Sequence, residues 1–281
     1  MKLLAFDTST QVMSIAVQHG AQIVTHTGAG GAQASATLIP AIQALMAQAG
    51  LQFTQLDAIV FGRGPGSFTG LRTACSVAQG LAFAAGVRVL PVDTLMAVAN
   101  EACHSLQQAL PHSALPQRIC AALDARMGEV YYKHYIVNSC LSSIDELYSL
   151  KTPQNIEPFE AEFTTLLAGN VRPTYDAQLP AALLAATYVH CLPTAAALLR
   201  LAPQLIASGG LVDAQDALPL YIRDKVAQTT AEREAAVPTR ALSTPATPAT
   251  PATLPAAQLA MQNAAAPAPA SAPAAPTTPA A

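Results

Sequence analysis

Gly62-Arg63-Gly64-Pro65-Gly66-Ser67-Phe68-Thr69-Gly70-Leu71-Arg72 occurs once in the chain, between an apolar run that ends at Phe61 and a long Ala-rich segment. The preceding Leu56-Asp57-Ala58-Ile59-Val60-Phe61 reads as a buried strand, and the residues after Thr69 have helical composition and period. The motif is therefore a strand-to-helix elbow. Gly62, Gly64 and Gly66 permit positive φ and close backbone approach, and Pro65 stiffens the middle. Ser67 or Thr69 can cap the helix that Gly70 enters. Such an elbow can hold an anion, or it can lock a helix against a sheet, and for a lone Gly-rich string the structural role is the commoner one.

Outward from the elbow, Leu3 to Phe6 and Val12 to Val17 form a hairpin around a polar turn, with a third strand at Ala21 to Thr25. Leu38, Ile39, Ile42, Leu45 and Met46 follow the helical period within Ser35 to Ala49, and Gly50 supplies the stop. A helix from Phe68 to Ala85, a strand from Val87 to Val92 and a helix from Thr94 to Cys103 come next. This order implies a mixed sheet covered by helices. The pattern then restarts: Ile119 to Leu123, Asp124, a polar turn and Val130 to Val137 repeat the layout of the first hairpin. His104 to Pro116 is the candidate hinge. Leu166 to Ala168 reads as a strand, Pro193 to Leu201 as a helix, and Leu218 to Val226 as a final segment able to return to the first lobe.

Of 281 residues, 52% are hydrophobic and 11% charged. Residues 238–281 are an Ala, Pro and Thr run with ten prolines and Arg240 as the single charge, which cannot repay the entropy of ordering and is expected to be a disordered tail. The net charge of −3, with Lys and Arg scattered, argues against a large nucleic-acid surface. Five separated cysteines with no CxxC pair read as free thiols in a reducing compartment. Asp7 interrupts the N-terminal apolar stretch, and no apolar run reaches the roughly 18 residues of a membrane span, so a cytoplasmic protein is expected.

Three blocks in order, Leu3-Leu4-Ala5-Phe6-Asp7-Thr8-Ser9-Thr10, Gly62 to Arg72, and Ala121-Ala122-Leu123-Asp124-Ala125-Arg126-Met127-Gly128-Glu129-Val130-Tyr131, resemble the TsaB (YeaZ) family from Met1 to about Ala227. The resemblance implies an α/β chain of two ribonuclease-H-like lobes of the actin/sugar-kinase (ASKHA) superfamily, with mixed sheets flanked by helices. The lobes would be residues 1–104 and a degenerate 105–237, followed by the tail. It also implies a subunit without catalysis of its own, supporting a TsaD-like catalytic subunit and a TsaE-like ATPase. That complex places a threonylcarbamoyl group on the tRNA adenosine after the anticodon. The tRNA is then met through the complex, and a homodimer is left open.

In that superfamily the first hairpin cradles nucleotide phosphates, so Asp7, Thr8, Ser9 and Thr10 are the phosphate-loop candidates. The matching second turn, Ala125 to Glu129, has no hydroxyl and carries a carboxylate that would repel phosphate. The HxxxH metal pair of the TsaD family has no counterpart, because no two histidines here are three or four apart. Ser67 is followed by Phe68 where a nucleophile elbow needs glycine. The expectation is no cofactor, no metal and no catalytic residue. The alternative is an ATP-dependent transferase or kinase acting by itself.

After Thr69 the elbow helix has only Arg72, Thr73, Ser76 and Gln79 as polar side chains, an apolar surface wider than one sheet covers. Leu71, Ala74, Ala78 and Ala82, with Leu38, Ile42, Leu45 and Met46 of the preceding helix, are therefore the expected partner interface.

Overall fold

Central strands that read as unbroken apolar runs are those with both faces covered, and the first lobe is built on two of them. In the computed structural model, residues 1–137, 141–144, 147–159 and 163–223 are described. Lys2–Asp7 (β1) pairs antiparallel with Val12–His19 (β2), which pairs antiparallel with Gln22–Ala29 (β3). Ala58–Gly64 (β4) joins β1 in parallel and Arg88–Asp93 (β5) joins β4, giving the order β3-β2-β1-β4-β5. Leu4, Phe6, Ile15, Val17, Ile59 and Phe61 pack on one face against the helices Ala34–Gln48 (α1) and Phe68–Ala85 (α2). Leu3, Ala5, Ala16, Val60, Leu90 and Val92 pack on the other.

The elbow helix α2 has the span read from sequence, with Ser67 at the N-cap position, though no side chain makes a capping hydrogen bond there, and Gly86 at its C-cap at φ +68°, a left-handed conformation that glycine adopts without penalty. The next helix, Thr94–Ala109 (α3), starts where expected because Asp93 caps it, accepting from the Leu95 N–H at 2.8 Å. It does not stop at Cys103. Nothing before Pro111 breaks the helix, so the proposed hinge is helical through His104 to Ala109, and residues 110–117 are what is left to carry the chain from α3 to the second lobe.

The second lobe repeats the plan. Arg118–Arg126 (β6) and Glu129–Val137 (β7) form a hairpin, with Leu141–Ser143 (β8) and Ser149–Lys151 (β9) pairing β7. Thr165–Gly169 (β10) and Thr187–His190 (β11) add in parallel, the order being β11-β10-β6-β7-β8. Two short helices, Arg172–Tyr175 (α4) and Ala181–Ala185 (α5), lie between β10 and β11. Two hairpin-led sheets flanked by helices make this a mixed α/β chain of the ASKHA-like kind.

From Thr194 onward the chain is back at the first sheet. Ala195–Ala207 (α6) packs on β1, β2, β4 and β5, and the Ala195 N–H donates to Ser14 Oγ at 2.9 Å. Val212 and Val89 exchange backbone hydrogen bonds of 3.0 and 2.8 Å, and the Ala217 carbonyl accepts from Cys75 Sγ and Gln79 Nε2 of α2. Helix α3 fills the space between α6 and the second sheet. Residues 224–281, with the Ala/Pro/Thr-rich segment, lie outside the described residues. Among the described residues, no helix is long and apolar enough to cross a membrane.

Candidate functional site

The turn after β1 and the elbow after β4 are fitted against each other. Asp7 Oδ1 accepts from the Ser9 N–H at 2.9 Å and from Ser9 Oγ at 2.7 Å, Thr8 Oγ1 donates to the Gly70 carbonyl at 2.7 Å, and the Ser67 N–H donates to the Ser9 carbonyl at 2.7 Å. The glycines make the fit possible. A Cβ at Gly62 would fall 1.8 Å from Asp7 Oδ2, one at Gly66 2.6 Å from Ser9 Cβ, and one at Gly70 1.9 Å from the Thr8 carbonyl oxygen.

This contact decides how the phosphate-loop candidates are used. Asp7 and Thr8 are fully buried and Ser9 is buried, so their polar atoms serve the fold, and only Ser9 and Thr10 reach a cleft wall. In this arrangement the Asp7 carboxyl is closed off from solvent. Its Oδ2 has no hydrogen-bond partner, and burial pushes the carboxyl up to about 6 against the Ser9 hydrogen bonds that pull it down. Among the described residues, no group of three or more His, Cys, Asp or Glu side chains could hold a metal ion.

A cleft of about 390 Å³ opens between the elbow, the β6–β7 turn and a C-terminal strap. The Leu220 N–H donates to the Arg63 carbonyl at 2.7 Å, and Arg72 Nε donates to Tyr221 Oη at 3.0 Å while its guanidinium stacks 3.9 Å from the Phe68 ring. On the opposite wall Arg223 pairs with Glu129 and donates to the Ala125 carbonyl. The strap thus ties the elbow of one lobe to the hairpin turn of the other. Asp124, Arg126 and Glu129, a charged cluster in the sequence, are each engaged: Arg126 pairs with Asp124 at 3.3 Å, and Asp124 also accepts from Tyr175 Oη at 2.9 Å. A second interlobe contact lies behind the cleft, where Tyr135 Oη donates to Asp93 Oδ2 at 3.0 Å and Arg63 Nη2 donates to Tyr148 Oη at 3.3 Å. Sequence reasoning placed Leu218 to Val226 as an ordered segment but had no signal for Tyr221 and Arg223 as cleft residues, because both act through contacts more than 90 positions away.

The expected partner interface needs correction. Leu38, Ile42, Leu45, Met46, Leu71, Ala74, Ala78 and Ala82 are all at 5% exposure or less; seven of them pack in the cluster between the sheet and the two helices. Leu71 packs against Gly64 of the elbow. Their size and spacing serve the core. The outer face of the same helices carries different residues: Phe83 is 85% exposed, Ile39 43%, and Ser76, Gly80, Ala84, Ala36, Pro40 and Ala44 are also exposed.

The family model described as "TsaD: tRNA N6-adenosine threonylcarbamoyltransferase" matches residues 18–231. A protein of Escherichia coli strain K12 named "tRNA threonylcarbamoyladenosine biosynthesis protein TsaB" is 31% identical over 232 residues, covering 81% of this chain and 96% of the relative. A Haemophilus influenzae protein of the same name is 37% identical over 148 residues, but the alignment covers 53% of this chain and 59% of the relative. The solved structure titled "YeaZ from Pseudomonas aeruginosa" superposes with a TM-score of 0.69 at 34% identity, over 79% of this chain and 99% of that one. With a relative at 31% identity aligned over 96% of its own length and a solved structure that superposes over 79% of this chain, the chain belongs to the TsaB (YeaZ) family.

Proposed function

We propose that this protein acts in tRNA threonylcarbamoyladenosine biosynthesis as a cytoplasmic subunit without chemistry of its own, holding a TsaD-like catalytic subunit. The observation that carries the reading is the near full-length relationship to the E. coli protein named for that pathway. The site geometry supports the non-catalytic part, because the turn that would meet phosphates is spent on the elbow and its carboxylate is sealed from solvent. The outer face of α1 and α2 supports the partner-binding part. An almost fully exposed phenylalanine beside Gly80 and Ala84 presents a large anchor next to small residues that let another helix approach. A TsaE-like ATPase and the tRNA join through the assembled complex.

Phe83→Glu is the test. The side chain lies in solvent, so the isolated variant keeps its wild-type melting temperature, while association with the TsaD-like partner weakens about 100-fold or more when a desolvated carboxylate replaces the anchor. Binding within about threefold of wild type places the interface elsewhere. The purified chain alone is expected to show neither tRNA modification nor ATP hydrolysis above background, and stoichiometric turnover by it would overturn the scaffold reading.

A further inference from the structure

The partner-holding role makes no use of the cleft between the elbow, the β6–β7 turn and the strap, and the polar groups of that cleft are not all spent. Among the described residues, the carboxylate in its wall is that of Asp124, which accepts from the Arg126 N–H at 2.8 Å and from Tyr175 Oη at 2.9 Å and pairs with the Arg126 guanidinium at 3.3 Å. Arg223 of the strap is paired with Glu129. A cationic ligand finds no free carboxylate there. What remains unpaired can donate. Tyr131 lines the cleft at 8% exposure, yet its hydroxyl makes no hydrogen bond to a described residue. Burial pushes that phenol up in pKa, so it carries its proton at neutral pH. Ser67 Oγ caps nothing, and Asn170 accepts the Asp124 N–H at 2.8 Å on Oδ1 while its Nδ2 meets no acceptor among the described residues. At the mouth, Arg72 stacks on Phe68 and donates to Tyr221 with no carboxylate partner among the described residues, and the Arg126 side chain is 75% exposed. The rest of the wall is apolar, with Phe68, Leu71, Leu123, Met127, Leu220 and Ile222.

We propose that this cleft binds a small organic monocarboxylate with an apolar body, its carboxylate accepting a hydrogen bond from the Tyr131 hydroxyl and its body lying against the apolar wall. The sign of the charge follows from the unpaired groups. Donors without acceptors, under a mouth that carries two arginines, favour an anion, and a buried hydroxyl left unbonded gains most from a charged acceptor. The single charge follows from what the turns lack. A polyphosphate needs a cradle of loop donors, but Asp7 and Thr8 of the first turn are fully buried against the elbow, and the second turn, Ala125 to Glu129, has no hydroxyl residue. The apolar body follows from the wall, and the volume of about 390 Å³ falls within the roughly 300–1,000 Å³ of small-molecule sites. The cleft is distinct from the outer face of α1 and α2 proposed for the catalytic partner, so either reading can fail alone.

The test titrates the full chain, isotopically labelled for amide NMR, with 4-phenylbutyrate. Saturable shifts are expected at residues 66–72, 123–131 and 218–223, with a dissociation constant of about 0.1–1 mM for a ligand of about 12 heavy atoms. The neutral 4-phenylbutyramide is expected to bind at least about fivefold more weakly, because it lacks the charge that the arginines at the mouth attract. Tyr131→Phe removes one hydroxyl that has no partner in the fold, so the melting temperature stays at the wild-type value while affinity for phenylbutyrate falls at least about fivefold. A smaller loss in that variant overturns the assignment. So does an absence of saturation by about 10 mM, well above the expected range, or a set of shifts confined to residues away from the cleft. An amide that binds as tightly as the acid removes the charge argument, and ATP binding at the same residues more tightly than phenylbutyrate replaces the monocarboxylate with a nucleotide. Each of these outcomes leaves the partner-binding measurement with Phe83→Glu untouched.

Discussion

Gly70→Ala is expected to destabilise the protein by about 3 kcal/mol, while the same substitution at Gly80 on the same helix stabilises it by about 0.5–1 kcal/mol. Helix propensity favours alanine at both positions equally. What differs is the environment of the new methyl group. At Gly70 it falls 1.9 Å from the Thr8 carbonyl oxygen and 2.9 Å from its carbon, backbone atoms that cannot swing aside, so helix and turn must separate and lose the Thr8 Oγ1 to Gly70 hydrogen bond. At Gly80 nothing lies within 4 Å. For a body of this size 1 kcal/mol corresponds to roughly 2–4 °C, so melting curves should move down by about 6–12 °C for Gly70→Ala and slightly up for Gly80→Ala. A Gly70→Ala variant within about 2 °C of wild type would show that the elbow does not clamp the turn.

This pair of glycines shows how much of the site was legible in the sequence. The elbow was, because strand, glycines and helix are contiguous, and Ser67 and Gly86 mark the helix ends. The reason for its glycines was not: Gly62 is small because of Asp7 and Gly70 because of Thr8, partners more than 50 positions away. The helices α1 and α2 were also legible, but the face that meets the sheet was not. Apolar residues surround α2 almost completely, so composition alone cannot separate the core stripe of Ala74, Ala78 and Ala82 from the outer residues Gly80, Phe83 and Ala84. Strand β3 was recognisable over Ala21 to Thr25, while its run to Ala29 and its exposure depend on its pairing with β2 and on which strand ends the sheet. Strands β8, β9 and β11 and helices α4 and α5, at 3 to 5 residues each, are too short to show a period.

The interlobe contacts bear on mechanism in the same physical terms. Enzymes of two-lobed folds close around their ligand, and closure needs lobes that can move. Here the strap joins elbow to hairpin turn, and Tyr135 reaches Asp93 behind the cleft, a carboxyl that burial pushes up in pKa and that also caps α3. Contacts on both sides of the cleft would resist such closure, which is in keeping with the scaffold role proposed above.

The second large effect is expected from Asp7→Asn, and its size depends on pH. The Asp7 carboxyl is fully buried, with a folded-state pKa of about 6 against an ordinary value of 3.8. Because the folded state holds the proton more tightly than the unfolded state, the favourable contribution of Asp7 is complete below about pH 3.8 and is lost as pH rises through about 6. The difference of roughly two pH units corresponds to about 3 kcal/mol at 1.36 kcal/mol per unit. Asparagine keeps an acceptor for the Ser9 N–H and hydroxyl and never ionises. The stability of the variant relative to wild type should therefore climb by somewhat over 2 kcal/mol, roughly four-fifths of that total, between pH 4 and pH 7.5, as read from denaturant midpoints at fixed ionic strength. A difference that stays flat with pH would mean that Asp7 is ionised at low cost and open to solvent, and the superfamily's phosphate-loop role would return as a live assignment. A rising difference, with partner association unimpaired at neutral pH, would mean that this aspartate is retained in the fold at a cost in stability, as a wedge between β1 and the elbow rather than as a group that handles phosphate.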